Sequence, residues 1–473
     1  MGAKQKKAPL KSSDDKCSNP TRNKRVRNAS DTFAPNKKNR PVVAKSNTKE
    51  NKNEMERKNA TSISTISSWK NSVVHFGTSA TIGSNDYLRN LEPVKNALVN
   101  HFEGLKVFKV LNLFERRVTS IECHPKYTNY VAAGSKGGEL ILFDLNSPRT
   151  VSCPGVGPGG SIVGLKFCRD VPSTVYTASV PSIVYTGNVK EENMTDQSKS
   201  KTFLTSATFE NWFASLDVCY SRKLIFTGDC RGNAYLITTA GQWVWPKSKK
   251  LHSDKISHVE FHPRDPNVFV TASIDHSVKL WDLRMIGDPD SKGRYQPTEI
   301  FPHLKGVNSA YFSPSNGCSL LTTDQHSELR VYSCENWKKF MVIPHPHRQF
   351  RHLTHIKASW FPLADIVVAG RYPDDNFKQA DSRTIDFFDG STGNILYRKN
   401  SKLNKIHSLN VFNSSGDAMI SATGTALLVW KKECCTSSDR CLPCPVSGTK
   451  GAERGRRPAL NKKVKNVTKF SKC

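Results

Sequence analysis

The chain has 473 residues, of which 37% are hydrophobic, and its 70 Lys and Arg against 41 Asp and Glu give a formal net charge of +29. That length allows one large domain with tails or a few ordinary domains, and the low apolar content favours flanks that do not fold. The charge points to an anionic partner, nucleic acid ahead of a membrane surface; no 18-residue apolar run is present to span a bilayer, and MGAKQKKAPLKSSDDK lacks the apolar core of a secretory signal.

Residues 1–60 hold 17 Lys or Arg against 6 acids, which predicts a disordered basic arm. Its clusters at 23–27 (NKRVR) and 36–40 (NKKNR) read either as nuclear-import or phosphate-contact tracts or as a solvated tail. Residues 431–473, with 12 basic and 3 acidic residues, form a second disordered basic tail that contains cysteines, and the intervening 61–430 still carries +9. The thirteen Cys are irregularly spaced, and Cys123, Cys168 and Cys219 fall in expected strands, which suits free thiols in a reducing compartment.

Over 61–106 the pattern turns helical. Tyr87, Leu88, Leu91, Val94, Leu98, Val99 and Phe102 recur at helical spacing after a Gly-Thr-Ser-Ala-Thr-Ile-Gly interruption at 77–83, which predicts a helix-loop-helix appendage, either packed on its host or docked on a partner.

Residues 107–430 repeat. The stretch 256–284, ISHVEFHPRDPNVFVTASIDHSVKLWDLR, holds three strand-length apolar runs separated by turn signals and ends in a Trp-Asp pair, one WD-repeat unit. Aligning the first strand of each candidate unit on Cys123, Phe167, Val218, Phe261, Phe312, Trp360 and Val411 gives seven units at intervals of 43 to 51 residues. The seventh stops at Trp430, its third strand; the alternating run Val107, Phe108, Val110, Leu111, Leu113 is suited to supply the fourth and close the ring. The expected fold is therefore all-β, a seven-bladed WD-repeat propeller. Unit two is the weakest, with no evident second turn at 178–189 and a polar stretch at 191–201 expected to loop out.

In such a propeller the loops joining second to third strands, and those joining each outermost strand to the next blade, share one face. Here they carry Arg116, Arg117, Lys136, Trp212, Trp245, Lys255, Arg371 and Tyr372. Cations neutralise phosphates and rings offer stacking surfaces, the combination nucleic acid demands. Lys-rich loops and core tryptophans are the ordinary alternative. In the loop at 343–357, IPHPHRQFRHLTHIK, Phe350 lies among Arg348, Arg351 and His352 at an expected hairpin tip. It is either a wedge able to part a base step in the minor groove or a ring folded back on its own blade. The four histidines of this loop suit phosphate or base contact better than a metal.

Together Arg116-Arg117-Val118-Thr119-Ser120, Gly134-Ser135-Lys136-Gly137-Gly138, Trp281-Asp282-Leu283-Arg284, Leu321-Thr322-Thr323-Asp324-Gln325, His345-Pro346-His347-Arg348, Gly370-Arg371-Tyr372-Pro373 and Arg383-Thr384-Ile385-Asp386 resemble the small WD-repeat subunit of the vertebrate UV-damaged-DNA-binding complex, over roughly residues 70–430. The resemblance implies a lesion sensor whose Phe-Gln-His hairpin, here Phe350-Arg351-His352, enters the minor groove at a pyrimidine photodimer while the flipped-out lesion occupies a shallow pocket. Arg351 in the Gln position keeps the wedge, adds a cation and alters the base-edge contacts. The implied contacts to damaged double-stranded DNA are Phe350, Arg351, His352, Arg348, Arg116, Lys136, Lys255, Arg371 and Tyr372, with Trp212 and Trp245 near the lesion.

The same resemblance implies that Leu91 and Leu98 of the helical segment, with Trp281, Asp282 and Arg284, dock on a large propeller adaptor that joins a cullin-4 RING ubiquitin ligase. A structural role for Arg284, bracing its own turn, is the alternative. Nuclear localisation, chromatin and nucleosome contact and a place in nucleotide excision repair follow from the same likeness. The competing reading is a chromatin-associated WD-repeat scaffold that binds only proteins.

Enzymatic readings are weaker. Gly155-Val156-Gly157-Pro158-Gly159-Gly160 lacks a following helix, and Cys434, Cys435, Cys441 and Cys444 lack a second matching pair or His for zinc. No nucleophile, base and orienting group converge, so the expectation is no catalytic residue, no metal and no cofactor.

Overall fold

The computed structural model describes residues 85–147, 150–153, 160–171, 174–179, 182–186, 200–205, 211–291, 293–347, 354–372, 383–401, 403 and 405–432. The expectations for the arm at 1–60, for the first helix and loop of the appendage, for residues 191–199 of the polar stretch at 191–201 and for the tail beyond 432 lie outside the described residues, whereas Ser200 and Lys201 of that stretch belong to a strand and not to a loop.

The described residues begin with a helix, α1 (Asn85–Gly104), and then strand β1 (Leu105–Leu111). Six antiparallel four-stranded sheets follow. The first holds β2 (Val118–Cys123), β3 (Tyr130–Ser135), β4 (Leu140–Asp144) and β5 (Thr150–Cys153); the second β6 (Ile162–Phe167), β7 (Val175–Ser179), β8 (Ser182–Thr186) and β9 (Ser200–Thr205). The third holds β10 (Phe213–Cys219), β11 (Leu224–Asp229), β12 (Asn233–Thr238) and β13 (Lys249–Lys250); the fourth β14 (Ile256–Phe261), β15 (Val268–Ser273), β16 (Ser277–Asp282) and β17 (Glu299–Pro302). The fifth holds β18 (Val307–Phe312), β19 (Ser319–Asp324), β20 (Glu328–Ser333) and β21 (Asn336–Pro344); the sixth β22 (Ser359–Trp360), β23 (Ile366–Gly370), β24 (Ile385–Asp389) and β25 (Ile395–Lys399).

The last sheet, β26 (Leu409–Phe412), β27 (Ala418–Thr423) and β28 (Ala426–Lys432), takes β1 as its fourth strand, from Leu105 opposite Lys432 to Leu111 opposite Leu427. The described residues thus form seven four-stranded sheets, and all seven residues used for the repeat alignment lie on the innermost strands. Pairing the start of the domain with its end removes the open edge a linear array would leave. The sheet residues run two positions beyond the expected limits, from Leu105 to Lys432.

The burial patterns follow from this stacking. A sheet covered on both faces needs continuous rather than alternating apolar strands, and β10, β23, β24 and β27 are buried along their whole length. Outermost strands face water on one side, so β1 alternates buried and exposed positions. Five innermost strands, β2, β6, β10, β14 and β18, bulge after their first residue. At two of these bulges a hydroxyl reaches the next sheet: Thr119 Oγ1 donates to the Ile162 carbonyl at 2.5 Å, and Ser257 Oγ donates to the Val307 carbonyl.

The Trp-Asp signature has a structural use in the fourth sheet. Trp281 is fully buried, and its Nε1–H donates to Thr271 Oγ1 at 2.8 Å. The same hydroxyl contacts His252 Nε2 at 2.7 Å, whose Nδ1 lies 2.9 Å from Asp275 Oδ2. This chain ties the outer strand β16 to the turn before β14. Trp281, implied as an adaptor contact, is therefore corrected to a core residue.

α1 belongs to the core rather than to a free appendage. Leu98 and Phe102 sink against Phe361, Phe387 and Trp430, with the Phe102 and Phe387 rings stacked at 4.4 Å. Lys95 Nζ sits 2.8 Å from Asp389 Oδ2, and Lys399 Nζ donates to the Glu103 carbonyl at 2.7 Å. Leu98, implied as an adaptor contact, is 1% exposed and packs on the protein's own sheets. The side chain of Leu91 lies outside the described residues.

Candidate nucleic-acid interface

One face of the ring collects cations from loops far apart in sequence. Arg116 and Arg117 join β1 to β2, and Lys136 begins the β3–β4 turn. The turn is fixed by its glycines: Gly138 has a φ of +86°, and a Cβ there would lie 2.8 Å from the Gly160 carbonyl oxygen. The Lys136 backbone N–H donates to the Arg117 carbonyl at 2.8 Å. Arg117, burial and Arg116 together lower the pKa of the Lys136 ammonium, so the cluster already bears mutual repulsion that an anion would relieve.

A second group gathers beside the channel mouth. Thr354 Oγ1, in the β21–β22 loop, donates to the Val118 carbonyl at 2.6 Å, which carries that loop from the sixth sheet to the first. His355 follows it, held down to about 4 by burial and by Lys255, Lys357 and Arg117. Lys357 lines the channel and is lowered to about 8 by burial, Lys255 and Lys166. Burial likewise lowers the Lys255 ammonium. Loops of the first, fourth and sixth sheets thus bring Arg117, Lys255 and Lys357 around one histidine. Sequence reasoning placed Arg117 and Lys255 on this face but did not count Lys357 among the contacts; its position at the end of the four-histidine loop at 343–357 is the signal that could have found it.

Below the mouth the channel wall is charged but internally matched. Lys166 Nζ lies 3.2 Å from Glu122 Oε1 and 3.4 Å from Asp217 Oδ1. Asp217 Oδ2 accepts from the Phe261 N–H and Glu260 Oε2 from the Phe312 N–H, each at 2.6 Å. This network links the innermost strands β2, β6, β10, β14 and β18 in turn, and gives each buried charge a partner. Among the described residues no group of three His, Cys, Asp or Glu is placed to hold a metal.

The remaining expected DNA contacts divide. Trp212 is 36% exposed on the β9–β10 connection, with its backbone bonded to Cys230. Trp245 is corrected: it lies along the outer edge of β12, buried edge-on against Phe226 at 5.7 Å, away from the loops of this face. Arg371 stands in the β23–β24 loop, but its Nη1 lies 3.8 Å from the buried Asp386 and the side chain is 11% exposed, so it braces the loop more than it faces outward. Tyr372 is half-buried, its N–H donating to the Pro346 carbonyl. Arg348, Phe350, Arg351 and His352 lie outside the described residues. His345 and His347, expected to contact phosphate or base, are buried with their Nδ1 atoms 3.1 Å apart and brace the same loop.

The WD domain, G-beta repeat family matches residues 246–282, the fourth sheet's leading stretch. Over 378 residues the chain is 39% identical to DNA damage-binding protein 2 of Gallus gallus, covering 77% of this chain and 72% of the relative. The protein of that name from Danio rerio is 37% identical over 78% of this chain and 72% of its own. The one from Bos taurus is 38% identical over 72% and 78%. The chain belongs to the DNA damage-binding protein 2 family.

In this member of the DNA damage-binding protein 2 family, Arg284 occupies the turn after β16, a third-to-fourth-strand connection, and so lies on the face opposite Lys136 and Lys255. Its side chain is 62% exposed, yet its guanidinium grips Asp282 in two places, Nε to Oδ1 at 3.0 Å and Nη2 to Oδ2 at 2.6 Å. That pairing holds Asp282 below the usual carboxylate range. Of the three residues of this turn implied for docking, Arg284 is the one that presents itself to solvent. The described cysteines are all free, with Cys219 buried and Cys123 and Cys168 half-buried.

Proposed function

We propose that this chain recognises damaged DNA, the duplex lying across the face that carries Arg116, Arg117, Lys136, Lys255 and Lys357. The observation that carries the reading is the meeting of cations from three sheets around His355, immediately next in sequence to the expected Phe350 hairpin. Several positive groups lowered by one another are held ready for a polyanion, because phosphates offset the repulsion that folding leaves in place. The curated relatives carry DNA damage binding in their names, which agrees.

In this reading the seven sheets are the blades of one WD-repeat propeller, and Phe350 with Arg351 and His352 enters the minor groove at a photolesion. The opposite face, with Arg284, receives a propeller adaptor and through it a cullin-4 ubiquitin ligase. Nuclear localisation on chromatin follows from the substrate, and catalysis resides in the partners. The test is competition of the full chain, at fixed salt, between UV-irradiated and undamaged duplexes, with Phe350→Ala alongside. Preference for irradiated DNA that the variant loses, with salt-sensitive background binding retained, supports the reading. Equal binding of both duplexes by both proteins would leave a basic protein-binding scaffold.

A further inference from the structure

On the face that carries Arg284, two cysteines stand directly opposite each other. The β19–β20 ladder pairs Ser319 with Ser333, and one step further its register sets Cys318 against Cys334. The Cys334 N–H donates to the Cys318 carbonyl at 2.8 Å, so the pairing persists beyond the named strands. Residues directly opposite in an antiparallel pair share a sheet face with Cβ atoms about 4.5–5.5 Å apart, and disulfides form across Cα separations of about 4.4–6.8 Å, a range that includes hydrogen-bonded pairs at about 5.5 Å.

The sulfurs themselves interact. Burial and a hydrogen bond to the Cys318 side chain push the Cys334 thiol up to about 11, so Cys334 keeps its proton beside the other sulfur. Cys318 is exposed and Cys334 half-buried, which gives solvent access to the first and shelter to the second. The turn before Cys318 is anchored on the neighbouring sheet: Arg264 Nη2 donates to the Ser315 carbonyl at 2.8 Å, and His262 Nε2 lies 3.1 Å from the Gly317 carbonyl oxygen. The two thiols are therefore held together by backbone and do not meet by chance.

We propose that Cys318 and Cys334 are a modification site, a cross-strand thiol pair that closes to a disulfide when the chain meets an oxidant of the peroxide class. The Cys318 thiolate attacks one peroxide oxygen; the O–O bond breaks, an S–O bond forms, and hydroxide leaves as water after taking a proton. Cys334, having given its proton to solvent, then attacks the Cys318 sulfur, forming the S–S bond and expelling the second oxygen as water. Two thiols lose two electrons and one hydrogen peroxide becomes two waters. The closed bond would lock together two connections of the face opposite the cationic one. The site stands apart from the DNA reading and does not depend on it.

The experiment treats the reduced full chain with hydrogen peroxide, blocks remaining thiols by alkylation, and digests with trypsin without reduction. The expected product is the 306–330 peptide joined to the 331–338 peptide, released again by dithiothreitol. In Cys334→Ser the oxidised Cys318 instead becomes available to a sulfenic-acid trap, and in Cys318→Ser residue Cys334 remains alkylatable. Recovery of the two peptides singly, with Cys318 unreacted or carried on to sulfinic acid, would overturn the proposal.

Discussion

Lys136 and Arg117 are bound to each other through the backbone while their charges repel, the Lys136 N–H donating to the Arg117 carbonyl at 2.8 Å and the Arg117 guanidinium lowering the Lys136 ammonium. A hydrogen bond between main-chain groups survives any change of side chain, so Lys136→Ala should remove a cation without moving the turn. If Lys136 meets a phosphate, the variant binds more weakly to damaged and undamaged duplex alike, and the slope of log K against log salt falls by about 1. Fluorescence anisotropy at several salt concentrations measures both. An unchanged slope would place Lys136 off the DNA path.

The buried chain Trp281, Thr271, His252 and Asp275 is a stability device with one shared member. Thr271→Val removes the hydroxyl that both Trp281 Nε1–H and His252 Nε2 use, and leaves them unsatisfied in the interior. An orphaned buried polar group costs about 1–3 kcal/mol, so the urea midpoint should fall with no change in slope. DNA affinity of the folded fraction should not change, because Trp281 and Thr271 are wholly buried.

Leu98→Ala tests the helix. Leu98 fills a space among aromatic rings from the sixth and last sheets, and its truncation should cost about 2–5 kcal/mol by leaving a cavity. The decisive measurement is chemical denaturation of the chain alone. A variant as stable as the parent would mean that α1 is not held in this core.

His407 gives a pH signature. It is fully buried with Nε2 2.8 Å from Ser401 Oγ, and burial holds it down to about 4 against an ordinary value of 6.5. The folded chain thus binds fewer protons here than the unfolded one, so this contribution is present above pH 6.5 and is lost as pH falls towards 4. Glu122 and Glu260, raised by burial, titrate in the opposite sense. The histidine part is therefore read as a difference: between pH 6.5 and 4 the parent should lose Tm more steeply than His407→Gln.

Repeat spacing made the sheets legible, since each innermost strand must place an apolar centre at a nearly fixed interval, and the orphan third strand ending near Trp430 called for β1. The site was less legible. Loop membership in a propeller can be read from strand order, but Thr354 meeting Val118 cannot, because the contact joins loops of different sheets across 236 residues. Lys357 was missed for that reason. Trp245 misled because an aromatic beside lysines reads as a stacking surface, whereas an extension of the outer edge of β12 carries it into the core. With Leu98 the apolar stripe was evident, but periodicity does not say whose surface covers it.

Lys357 offers the sharpest link between geometry and binding. Held down to about 8 by burial and by two neighbouring lysines, it is largely protonated at pH 7 and largely neutral at pH 9. DNA favours the charged form, so binding draws a proton onto Lys357 as pH approaches its pKa, and affinity falls as pH rises through about 8. Lys357→Arg keeps the charge at both values, since a guanidinium stays protonated throughout. Titrations at pH 7 and pH 9 in the same salt should show the parent losing more affinity than the variant; equal losses would mean that Lys357 faces the channel without sensing the duplex.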